Sequence, residues 1–278
     1  MAKPLVLIDV DWTLLNDLFH FEPNGLAEKI KVMTAAGWEI GLMSDRPQNE
    51  LMEFSDELGM NGPLLAELGN VLIYPRLDIC KCWRTYDERS KMSMFTKRAI
   101  ITLMEKFPNL PILLSSNVRQ FREFQNLNWP REKVIAAVHT QRRTSFLVNV
   151  HRYGPDGLME AGAEPVQSIA RLLKTQFIDD FFTEPFLFVS EKRQGCALFH
   201  FADASKARSA KYLFDEKLAD SIAMIGDMIW DDLKDPRAIQ LAVGNADESY
   251  KKICRFTADK PFSTGVGQCL DWLKANYE

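Results

Sequence analysis

The chain has 278 residues, 46% apolar and 26% charged, an ordinary composition for a soluble globular protein with length enough for one large domain or two modest ones. A formal net charge of −4 argues against a dedicated nucleic-acid surface, but a small anionic substrate could still be held by a metal and a few local cations. The five cysteines (Cys80, Cys82, Cys196, Cys254 and Cys269) are odd in number and show no second paired spacing, so they read as reduced structural residues. No apolar run approaches the ~20 residues of a membrane span. No signal peptide precedes the first strand, and the expected location is cytoplasmic, without a membrane partner.

Leu5-Val6-Leu7-Ile8 is an unbroken apolar run, the pattern of a short strand buried on both faces in a parallel sheet. It breaks at once into Asp9-Val10-Asp11, two carboxylates at the carboxyl end of a strand, where open α/β sheets bind ligands. Carboxylates this close repel unless a cation or a proton separates them. A helix through Leu26, Ile30 and Met33, ending at Gly37, leads to a second strand over 38–43. This βαβ unit places Ser44 beside Asp9. A hydroxyl there can donate to a phosphoryl oxygen, and it equally suits a helix N-cap. A helix over 49–58 and a hairpin over 64–74, turning at Gly69-Asn70, complete the first segment.

The pattern loosens near 75–87, where a domain boundary is expected. Helices are predicted over 92–107 and 162–175, and strands over 111–116, 134–138, 144–150, 184–190 and 196–201. One antiparallel sheet with helices on a single face fits this order, an α+β insert. The parallel pattern then returns. A helix over 207–214 follows Ser205-Lys206, a strand over 221–225 runs into Gly226-Asp227-Met228-Ile229-Trp230-Asp231-Asp232, and a strand over 241–243 runs into Gly244-Asn245-Ala246. An amphipathic helix through Leu270 and Leu273 closes the chain. The expected fold class is therefore α/β: a Rossmann-like parallel-sheet core (1–84 and 199–278) with an inserted α+β domain (85–198).

Strand ends thus carry Asp9 and Asp11, Ser44, and Asp227 with Asp231, and one helix opens at Lys206. Each has a plainer reading, as a cap or a solvated charge, and Lys206 is on the wrong side of the helix dipole unless an anion sits there. Together they meet the needs of phosphoryl transfer. Asp9 can be the nucleophile that forms an aspartyl phosphate. Asp11 can protonate the leaving oxygen and then take a proton from water. Ser44 and Lys206 can hold the equatorial oxygens. Asp9, Asp11 and Asp227 make an oxygen-rich site suited to Mg²⁺, with Asp231 or Asp232 serving the metal directly or through water.

Asp9-x-Asp11-x-Thr13-Leu14 after an apolar strand, Ser44, Lys206 and Gly226-Asp227…Asp231 resemble the motifs of the haloacid dehalogenase-like phosphohydrolases, in order, across roughly 1–80 and 200–278. The α/β insertion between the second and third motifs is similar to the subgroup that includes phosphoglycolate, sucrose-phosphate and mannosyl-3-phosphoglycerate phosphatases. Glu67-Leu68-Gly69-Asn70 and Gly244-Asn245-Ala246 loosely match its turns. Trp12 and Asp45 stand where that family has glycine, and Trp230 where asparagine is common. The resemblance implies a Mg²⁺-dependent phosphatase of a small phosphorylated metabolite, with the inserted cap selecting the leaving group. Thr13 and Arg46 are the expected substrate contacts in the core, and Arg152, Lys192 and Arg193 those in the cap. A phosphotransferase or phosphomutase on the same fold, and a phospho-switch like a response-regulator receiver, are the alternatives.

Overall fold

A computed structural model describes residues 2–16, 21–22, 24–116, 120, 123, 127, 129–154, 157–181, 183–190 and 193–278, with the backbone alone for 157–160, 178–181, 183–190 and 193–194. The chain divides into two compact units, one running up to Trp83 and resuming over Ala204–Glu278, the other Arg84–Asp203.

The first unit opens on β1 (Leu5–Ile8), buried at every position. Strand side chains alternate between faces, so a run without a polar member fits only a sheet covered on both sides. Then come α1 (Leu26–Ala35), β2 (Ile40–Met43), α2 (Gln48–Leu58), β3 (Leu64–Ala66), β4 (Val71–Tyr74) and β5 (Ile79–Cys82). In the β3–β4 turn Glu67, Leu68 and Gly69 all take positive φ (51°, 58° and 78°). A Cβ on Gly69 would lie 2.3 Å from Ser209 Oγ, so the turn packs directly on the helix that carries Lys206.

The second unit begins with α3 (Tyr86–Lys106). Thr85 caps it reciprocally: Glu88 N donates to Thr85 Oγ1 (3.2 Å) and Thr85 N donates to Glu88 Oε2 (2.7 Å). There follow β6 (Ile112–Ser115), β7 (Val134–His139), β8 (Ser145–Gly154), β9 (Gly157–Glu160), α4 (Ala163–Phe181), β10 (Thr183–Ser190) and β11 (Arg193–Phe201). Its six-stranded sheet has the order β10-β11-β8-β7-β6, with β9 beside β8. Phe95 and Leu103 of α3 and Val166 and Leu173 of α4 pack with Val138, Phe146, Val148 and Phe199, so both helices lie on one face. The sheet is not wholly antiparallel, as the sequence had suggested: β6 and β7 run parallel. The stretch between them is long enough for the crossover that parallel pairing needs. Arg84, at the start of the unit, forms an ion pair with Asp203 at its end.

The first unit resumes with α5 (Lys206–Asp215), β12 (Ile222–Gly226), β13 (Ala238–Ala242), α6 (Glu248–Lys251), β14 (Phe256–Thr257) and α7 (Phe262–Tyr277). Its eight-stranded sheet has the order β14-β13-β12-β1-β2-β3-β4-β5, parallel from β14 to β3 and antiparallel beyond. Leu5, Leu7 and Met224 pack against Ala210, Leu213 and Phe214 of α5. On the opposite face α1 touches both α2 and α7. Ile8 pairs with Leu42 on one side and Ile225 on the other, which brings Asp9, Ser44 and Asp227 to one carboxyl-terminal edge. The parallel core and the α+β insertion expected from the sequence are both present. Among the described residues, no helix is long and apolar enough to cross a membrane.

Candidate active site

Asp9 is the first residue past β1. Its N–H still donates to Ile225 O (2.9 Å), which holds it level with the end of β12. The chain then turns sharply, with Leu14 and Leu15 N–H both donating to Val10 O (2.9 and 3.0 Å). Trp12 takes φ 55° in this turn, the left-handed region that glycine occupies without strain and that costs other residues on the order of 1 kcal/mol. Asn245 Nδ2 donates to the Trp12 carbonyl (2.8 Å), and Phe262 N–H donates to Asn245 Oδ1 (3.0 Å), so the loop after β13 braces the turn after β1.

A second turn follows β12. Asp227 and Met228 N–H donate to Asp231 Oδ2 (3.0 and 3.2 Å), folding the 229–231 turn back beneath the strand end. A Cβ on Gly226 would lie 2.2 Å from Asp231 Oδ2, so only glycine fits there. Lys206, the first residue of α5, is placed by the Ser205 N-cap, whose Oγ accepts from Arg208 N–H (3.3 Å). Its Nζ donates to Asp9 Oδ1 (2.6 Å) and Asp231 Oδ1 (2.5 Å). Thr13 Oγ1 donates to Asp227 Oδ1 (3.4 Å).

One carboxylate oxygen from each of Asp9, Asp227 and Asp231 lies within 4.8 Å of the others, all three side chains being buried. Burial pushes the Asp9 carboxyl well above its ordinary pKa; Lys206 opposes the shift, and Asp231 and Asp227 add to it. Burial acts to lower the Lys206 pKa, but Asp231 and Asp9 outweigh it and hold the ammonium protonated far above its usual range. Among the described contacts, Lys206 pairs with two of the three buried carboxylates, Asp9 and Asp231, which makes a cluster of hard oxygen donors. That donor chemistry fits a small divalent cation such as Mg²⁺. Asp232 faces elsewhere: its Oδ1 accepts from Lys234 N–H (2.9 Å).

The structure brings together Asp9, Thr13, Lys206, Asp227 and Asp231 but places other expected residues differently. Asp11 is outside the acid cluster, because Arg46 Nε and Nη2 donate to its two oxygens (2.9 and 2.7 Å). Arg46 Nη1 donates to Glu50 Oε2 (2.7 Å), so the guanidinium expected to meet substrate is engaged with two carboxylates. Burial acts to lower the Arg46 pKa, and Asp11 and Glu50 more than reverse it. Ser44 is fully buried at the end of β2, and its Oγ accepts from Arg46 N–H (3.3 Å). It is not the N-cap of α2, a position that Pro47 occupies without a side-chain bond. In the second unit Arg152, at 44% side-chain exposure, pairs with Glu132 (2.8 Å). Lys192 lies outside the described residues, as does the side chain of Arg193. Glu50 and Asn245 had no role in the sequence reading, although Glu50 is one helical turn from Arg46 and Asn245 lies in the noted Gly244-Asn245-Ala246.

The parallel order β13-β12-β1-β2-β3, with an antiparallel hairpin at its edge and a second α+β unit entering after it, is the haloacid dehalogenase-like hydrolase fold. Solved structures share it over nearly the whole chain. A haloacid dehalogenase-like hydrolase from Bacteroides thetaiotaomicron is 16% identical, covering 98% of this chain and 100% of its own, with a TM-score of 0.66. A Thermoplasma acidophilum protein is 16% identical over 99% of both chains, with a TM-score of 0.65. A phosphatase of the same superfamily, also from Bacteroides thetaiotaomicron, is 18% identical over 98% of this chain and 96% of its own, with a TM-score of 0.58. No family model matches the sequence, and no curated protein does.

Proposed function

We propose that the chain is a Mg²⁺-dependent phosphatase that hydrolyses a small phosphorylated metabolite through an aspartyl-phosphate intermediate. The observation that carries this reading is Lys206 Nζ seated between Asp9 Oδ1 and Asp231 Oδ1, with Asp227 in the same cluster. Lys206 holds Asp9 through Oδ1, which leaves Oδ2 to attack phosphorus. A P–O bond forms there as the bond to the leaving oxygen breaks. Asp11, entering this step protonated, gives its proton to that oxygen. Water then attacks the aspartyl phosphate, Asp11 takes its proton back, and phosphate leaves with Asp9 restored.

Lys206 and the Ser44 hydroxyl hold the equatorial oxygens, where charge is greatest in the transition state. Thr13 keeps Asp227 in place. Asp9, Asp227 and Asp231 are the residues that would hold Mg²⁺, which supplies charge neutralisation between the nucleophile and the phosphoryl group. Inorganic phosphate release from an aryl phosphate, with and without Mg²⁺, tests the reading. Wild type should turn over only with the metal and Asp9→Asn should not turn over; equal rates in the two proteins would end it.

A further inference from the structure

The Arg46–Glu50 pair stands outside the steps just described. Arg46 lies in the loop before α2, and Glu50 is in the first turn of that helix, so the two meet at i,i+4 spacing. Glu50 is 1% exposed and sits beside Leu51 and Phe54, a position where an apolar side chain would pack without desolvating a charge. A buried carboxylate is tolerated only when it is partnered, and Arg46 Nη1 lies 2.7 Å from it. The Phe54 ring lies 5.4 Å from the guanidinium carbon. The guanidinium is a rigid planar fork, so fixing Nη1 on Glu50 and stacking the group near Phe54 sets the direction of the Nε–Nη2 edge. That edge grips both oxygens of Asp11.

We propose that Glu50 is a positioning residue for the proton-transfer group: through Arg46 it fixes where the Asp11 carboxyl stands relative to the leaving oxygen. The inference rests on the phosphatase reading above. Without Glu50 the guanidinium loses the contact that fixes its Nη1 side, and Asp11 loses part of its fixed orientation while Asp9 and Lys206 keep theirs. The damage then depends on how much the leaving group needs a proton. An alkoxide must be protonated as it departs, whereas nitrophenolate leaves as the anion.

The test is kcat/KM, which reports the step that expels the leaving group, measured for 4-nitrophenyl phosphate and for a simple alkyl phosphate. Glu50→Gln should lower it about 10- to 100-fold for the alkyl ester and less than about threefold for the nitrophenyl ester. Equal losses on both esters would mean that Glu50 merely supports the fold, and would overturn the proposal. Arg46→Lys keeps the charge and loses the fork, and should show the same split, which covers the case of a Glu50 variant that does not fold. In Asp11→Asn, adding Glu50→Gln should reduce alkyl ester turnover no further, and a full additional loss counts against the proposal. Asp9→Asn is the control for the underlying reading: activity retained there would refute the phosphatase assignment, independently of any result at Glu50.

Discussion

Replacing Lys206 by methionine keeps most of the side-chain volume and removes the one cation that Asp9 and Asp231 share in the described structure. The two contacts are 2.6 and 2.5 Å, and all three side chains are buried. At an effective dielectric of about 20, a charge pair at ~4 Å is worth about 4 kcal/mol, much of it offset by desolvation of the ammonium. Removing one partner of a buried pair leaves the other uncompensated and costs about 3–5 kcal/mol. For a unit of this size each kcal/mol moves the midpoint by about 2–4 °C, so Lys206→Met should melt about 10 °C below wild type at pH 7 in chelator. Excess Mg²⁺ should recover much of that deficit, because the exposed need of the variant is positive charge. Differential scanning calorimetry with and without the metal measures both. A deficit under about 2 °C in chelator would show that the carboxylates do not depend on Lys206, and the electrostatic account of the site would fall with it.

Asp9→Asn should do the opposite for stability while abolishing turnover. The folded pKa of Asp9 is raised, so its stabilising contribution is complete below the ordinary value near 4 and is lost as pH rises through the folded value. At pH 7 the neutral isostere should therefore gain on the order of 1 kcal/mol in urea unfolding, and the gain should vanish towards pH 4; a variant less stable than wild type at pH 7 would contradict this. Gly226→Ala drives a Cβ to 2.2 Å from Asp231 Oδ2 and must displace that side chain from Lys206. It should lower kcat about 100-fold with a loss of about 1–3 kcal/mol, and unimpaired turnover would show that Asp231 is dispensable. In the inserted unit burial, with a smaller contribution from His139, lowers the His151 pKa to about 4. A depressed value means that the contribution is present above about 6.5 and is lost as pH falls through about 4, amounting to about 3 kcal/mol. His151→Phe should flatten that acid sensitivity in denaturant titrations; identical pH profiles would remove His151 as its source.

Much of the core was legible because its chemistry fixes residue types at strand ends. Leu5 to Ile8 reads as a strand buried on both faces, and the strand's carboxyl end is where the carboxylates that follow meet the sheet edge. Lys206 was the hardest of these to credit, since a lysine at a helix start opposes the dipole, and its explanation is the two carboxylates it meets. What stayed hidden depended on side-chain direction. Asp9 and Asp11 are two residues apart and look equivalent in sequence, yet the turn at Trp12 sends one to Lys206 and the other to Arg46. The start of α3 was missed by a full turn and more, although Thr85-x-x-Glu88 spells a capping box, because the apolar spacing begins only at Met92. The short edge strands β5 and β14 carry too little periodicity to declare themselves, and their pairing partners define them instead.

The split between Asp9 and Asp11 has a consequence for how the site divides its charges. Asp9 and Asp231 share the Lys206 ammonium, and Asp227 stands in the same acid cluster. Near Asp11 the described cation is a guanidinium, which bridges Asp11 and Glu50. The two clusters use different cations for a physical reason. A lysine ammonium is a compact point charge that can sit between two carboxylates, whereas an arginine fork fixes orientation as well as charge. Orientation matters most for a group that passes a proton along one line, the role proposed for Asp11, and Asp11 is the group which the fork holds.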